Sequence, residues 1–70
     1  MSPFHPPDVI VRAAEEDTVW GEPPQTTADR LGLRLRDIAD VLYRRDRVDL
    51  ARSYQRAWRV YRDARDAGAR

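Results

Sequence analysis

The stretch 26-TTADRLGLRLRDIADVLYRR-45 decides the fold, because it sets a glycine inside an otherwise helical run. Glycine within a helix costs about 1 kcal/mol relative to alanine, so the natural reading is that one helix stops at Gly32 and another starts soon after. Ala28 lies four residues before the glycine, where a small side chain lets two helices cross closely. Leu31, Leu33, Ile38 and Val41 then supply an apolar packing set around the turn. A glycine tolerates the positive φ that such a turn demands. These positions spell a helix-turn-helix over about residues 26–45.

On either side the pattern stays helical. Residues 1–7, MSPFHPP, form an irregular arm whose three prolines lack backbone donors. The only histidine, His5, sits in this arm and has no partner set that would make it a ligand or base. Residues 8–70 read as a single helical domain. A first helix starts at Pro7 or Asp8, since proline suits the first helical position and Asp8 suits the positive end of the helix dipole. Val9, Ile10, Ala13 and Ala14 give it an apolar face, Val19 and Trp20 lie near its end, and Gly21 with Pro23-Pro24 stops it. The next helix is short, from about Thr27 to Leu31, with Thr26 or Thr27 as its N-cap. A third starts near Leu35 to Asp37 and runs to about Arg45, with Leu35, Ile38, Val41 and Leu42 on one stripe. Asp46 marks a turn, as a residue that tolerates left-handed backbone or caps the next helix. A last helix spans about 48–67 and ends before Gly68. No strand-like alternation occurs, so the expected fold is all-α: a small four-helix domain containing a helix-turn-helix and a long C-terminal helix.

Composition narrows the function. Seventy residues without cysteine allow neither a disulfide nor a thiolate nucleophile, and a domain this small is marginally stable on its own. Pairing with a second copy or a partner protein would add stability. No apolar run is long enough for a membrane span, and the first residues lack a signal-peptide pattern, so a cytoplasmic location is expected. All thirteen basic residues are arginine, which points to a GC-rich coding source before it points to nucleic acid. Charge is uneven: residues 1–29 carry six carboxylates against Arg12, whereas residues 30–70 carry twelve arginines against six aspartates. With no cysteine, one isolated histidine, no glycine-rich phosphate loop and no metal-spaced ligand set, no enzyme, cofactor or metal site is expected.

The segment 31-LGLRLRDIADVLYRRDRVDLAR-52 resembles a small helix-turn-helix family common in actinobacteria and their phages. The shared elements are Leu31-Gly32, then Leu42-Tyr43-Arg44, then Asp49-Leu50-Ala51-Arg52, about a third of the chain. That family often has glycine in the basic turn, where this chain has Asp46. The resemblance implies a DNA-binding transcriptional regulator of phage or actinobacterial origin, with double-stranded DNA as its partner.

On that reading the third helix enters the major groove. Arg34, Arg36, Ala39, Asp40 and Tyr43 lie off the packing stripe and face DNA, and arginine at the helix entrance can bond guanine bidentately. Tyr43, Arg44, Arg45 and Arg47 reach phosphates, as do Thr26 and Thr27 at the start of the preceding helix. Asp40 fits the groove if it accepts from cytosine or is held by Arg36 or Arg44. Leu35 faces either the core or a thymine methyl. In the last helix Tyr54, Trp58 and Tyr61 either pack inward or present a dimer or partner surface. The alternative function is accordingly a small helical adaptor that binds a partner protein through this aromatic and arginine-rich helix.

Overall fold

A computed structural model describes residues 5–68. Its elements are α1 (Pro7–Val19), α2 (Pro24–Leu31), α3 (Leu35–Arg44) and α4 (Val48–Gly68), with no strand among the described residues. The fold is therefore all-α with four helices, α2 and α3 forming the helix-turn-helix and α4 the long C-terminal helix.

One termination device closes three of the four helices. At the end of α2, Gly32 takes φ 70°, its N–H donates to the Asp29 carbonyl at 3.3 Å, and the Leu33 N–H donates to the Ala28 carbonyl at 3.0 Å. This pair of bonds is a Schellman closure, which satisfies carbonyls that a helix end would leave bare. The same two bonds recur at Gly21 and Glu22 after α1, and at Asp46 and Arg47 after α3. Asp46 adopts φ 61° and is the only non-glycine residue described with a positive φ. It thus takes the left-handed position that glycine would otherwise hold.

Two boundaries differ from those expected. The prolines that stop α1 also start α2: Pro24 is its first residue and Pro23 its N-cap. Thr27 consequently sits past the first turn and caps nothing. The C-terminal helix runs through Gly68, one residue beyond the expected stop.

The core gathers Ile10 and Ala14 from α1, Ala28 and Leu31 from α2, Leu35, Ile38, Ala39 and Leu42 from α3, and Ala51 and Tyr54 from α4. Each set recurs at helical spacing, so each helix turns one apolar stripe inward. The helix α4 lies antiparallel along α3: Tyr43 donates to Gln55 Oε1 at 3.1 Å near one end, and Leu33 and Arg34 lie beside Tyr61 and Arg65 at the other. Ahead of α1, His5 is tied to α2, its Nε2 donating to the Leu31 carbonyl at 2.9 Å.

Candidate nucleic-acid interface

Three expected positions are withdrawn from any DNA-facing or partner-facing surface. Thr27 is fully buried, and its hydroxyl donates to Asp17 Oδ2 at 2.5 Å. It cannot reach a phosphate. Ala39 is buried because it lies one turn from both Leu35 and Leu42, on the stripe that α4 covers. Tyr54, expected among the candidate interface aromatics, is a core residue at 1% exposure, with its hydroxyl beside Thr27. Leu35 is also core, which settles its two readings in favour of packing.

Asp17 escapes notice in the sequence because its neighbours Glu15 and Glu16 make it look like part of a solvated acidic run. In the fold it is buried, accepting from Thr27 and from the Arg30 guanidinium. The hydrogen bond from Thr27, then that from Arg30, hold its carboxyl below the ordinary value of 3.8 against the opposing effect of burial. This cluster locks α1 to α2.

Four arginines pair with carboxylates of α1. Arg30 pairs with Asp17, Arg45 with Asp8 at 3.2 Å, and Arg47 with Glu15 at 2.6 Å. Arg12 reaches Glu16 within its own helix. Much of the acidic front of the chain is therefore matched internally by basic residues from the back. Arg45 and Arg47, expected as phosphate contacts, fasten the α3–α4 turn to α1.

Five of the others line two adjoining grooves, while Arg44 and Arg52 are exposed outside them and Arg56 lines a third groove. Arg34 and Arg65 line one groove of about 310 Å³, together with Leu33, Trp58 and Tyr61. Arg36, Arg59 and Arg62 line an adjoining groove of about 300 Å³ with Asp40, Gln55 and Trp58. Five arginines from the α2–α3 turn, α3 and α4 thus line the two grooves along the N-terminal half of α3. The positive end of the helix dipole adds to their field. Among the described residues only Arg62 of the five meets a carboxylate, its neighbour Asp63 at 3.8 Å, with both groups exposed.

The exposed face of α3 is mixed. Arg36, Asp37, Asp40, Tyr43 and Arg44 all lie on it, and Asp40 makes no ion pair with Arg36, Arg44 or any other cation among the described residues. Thr26 is exposed in the first turn of α2. Trp58 is half-buried and stacks on Tyr61 with ring centroids 6.1 Å apart. The contribution of Arg59, Arg62 and Arg65 lies beyond the sequence reading. Their three-residue spacing is visible there, but only the antiparallel packing of α4 brings that row alongside the N-terminal half of α3. No group of acidic, cysteine or histidine side chains suited to a metal occurs among the described residues, and none of their helices is long and apolar enough to cross a membrane.

The chain matches no protein-family model, no curated protein and no solved structure.

Proposed function

We propose that the protein binds double-stranded DNA through the N-terminal end of α3 and the arginine row of α4. The observation that carries this reading is that Arg34, Arg36, Arg59, Arg62 and Arg65 line two adjoining grooves along the N-terminal half of α3. The acidic residues of α1, meanwhile, are matched to other arginines. A basic surface of this kind draws a polyanion and releases its counterions. Arg34 and Arg36 at the helix entrance are suited to base edges, and the α4 arginines to the flanking backbone. Asp37 and Asp40 on the same helix face limit readout to the helix entrance, since carboxylates are repelled by phosphate except where they accept from cytosine.

The regulatory role implied by the resemblance of residues 31–52 to actinobacterial and phage helix-turn-helix proteins belongs to the same proposal. Titration into mixed-sequence duplex DNA tests it. Binding should be measurable at low salt and weaken steeply as salt rises, and Arg36→Ala should flatten sequence preference. No binding at low salt would overturn the proposal in favour of the adaptor reading, for which exposed Tyr61 stacked on Trp58 is the supporting feature.

A further inference from the structure

Two exposed apolar features of the described residues adjoin at the turn between α1 and α2. The first is a knob: Val19 is 83% exposed and Trp20 80%. It is not a loose loop, because Trp20 closes α1 with its N–H on the Glu16 carbonyl at 3.0 Å. Asp17, one turn away, anchors that helix end to Thr27 and Arg30. The second is a groove of about 520 Å³ between the start of α2 and α4, walled by Pro23, Pro24, Ala57, Val60 and Tyr61 with Arg56 at its rim. Val60 is 65% exposed and Tyr61 46%. A small protein that leaves a tryptophan and an apolar groove open to water is marked for an apolar contact.

We propose that a second copy of this chain fills the groove, with Trp20 and Val19 of each copy entering the groove of the other. Charge supports this occupant: exposed Glu16 and Glu22 bracket the knob, and among the described residues Arg56 is the only charged one lining the groove. Geometry supports it too. Trp20 precedes Pro23 by three residues, so the backbone of the knob lies at most about 11 Å from the nearest wall of the groove. Features that adjoin in this way can satisfy one another reciprocally across a two-fold axis, whereas distant ones would build open chains. The flank of α4 that this uses, with Ala57 and Val60, lies nearly opposite the flank bearing Arg59 and Arg62. Pairing therefore leaves the groove of Arg36, Arg59 and Arg62 open, while it shares Tyr61 with the groove of Arg34 and Arg65.

Sedimentation equilibrium of the full chain over a wide concentration range tests the proposal. A monomer–dimer equilibrium is expected. Trp20→Ala should weaken it by roughly thirtyfold or more, the scale of a buried interface tryptophan, while the melting temperature of the monomer stays unchanged because Trp20 is 80% exposed. Val60→Asp should do the same from the groove side. Mixing the two variants should recover a weaker heterodimer, since one intact knob still meets one intact groove. A monomer at every concentration, an open-ended oligomer, or a dimer indifferent to both substitutions would overturn it. Duplex binding by Trp20→Ala at low salt reports separately on the DNA proposal.

Discussion

The Thr27 hydroxyl donates to the buried Asp17 carboxylate at 2.5 Å and so joins α2 to α1 across ten residues of sequence. A threonine that heads a helix in the sequence is thereby a structural residue in the fold. Thr27→Val keeps the shape and removes the donor, leaving Asp17 with Arg30 alone. Stability should drop by about 1–3 kcal/mol, read as a lowered urea midpoint. Low-salt affinity for duplex DNA should be unchanged, which a phosphate contact at Thr27 would not allow.

The same carboxylate makes stability depend on acid. The folded state holds Asp17 below its ordinary value of 3.8, through Thr27 first and Arg30 second. Its contribution is therefore complete above that value and is lost as pH falls through the lower, folded pKa. Denaturant melts across this acid range should show the decline, and Asp17→Asn should flatten it while lowering stability at neutral pH. At the alkaline end, burial raises the Tyr54 phenol above 10.0. The neutral ring is favoured in the fold, so stability present below 10.0 should fall as pH climbs through the raised value, a loss that Tyr54→Phe should remove.

Backbone handedness gives a third expectation. Gly32 and Asp46 occupy equivalent left-handed positions after α2 and α3. Gly32→Ala should cost about 1 kcal/mol or more, because alanine is strained there. At position 46 the order should be glycine above alanine by a similar margin of roughly 1 kcal/mol. Thermal melts of the three variants check it. Equal stability of the two variants at position 46 would mean that the left-handed turn is not kept.

The turn at Gly32, the small crossing residue Ala28 and the number of helices were legible because each is dictated by local chemistry. The glycine stands in a helical run, and an apolar stripe recurs at a period near 3.6. What stayed hidden depended on which helices meet. Ala39 reads as lying off the packing stripe and facing DNA, and only the approach of α4 makes it core. Arg45 and Arg47 look like free cations in 44-RRDR-47 until α1 brings Asp8 and Glu15 to them. Asp17 looks solvated until α2 covers it. Charge totals by half-chain also misled, since opposite charges distant in sequence are paired in space.

The DNA reading stands on that division of the arginines. The direct measurement is the salt dependence of duplex binding for two double variants that each remove two positive charges. One is Arg59→Ala with Arg62→Ala; the other is Arg45→Ala with Arg47→Ala. The first should lower the slope of log affinity against log salt by about two, one for each lost phosphate contact. The second should leave that slope unchanged, at a small cost in stability from loss of two partly exposed ion pairs. Equal losses of slope in both variants, or no salt-dependent binding by the parent chain, would contradict a DNA-binding surface built at the N-terminal end of α3.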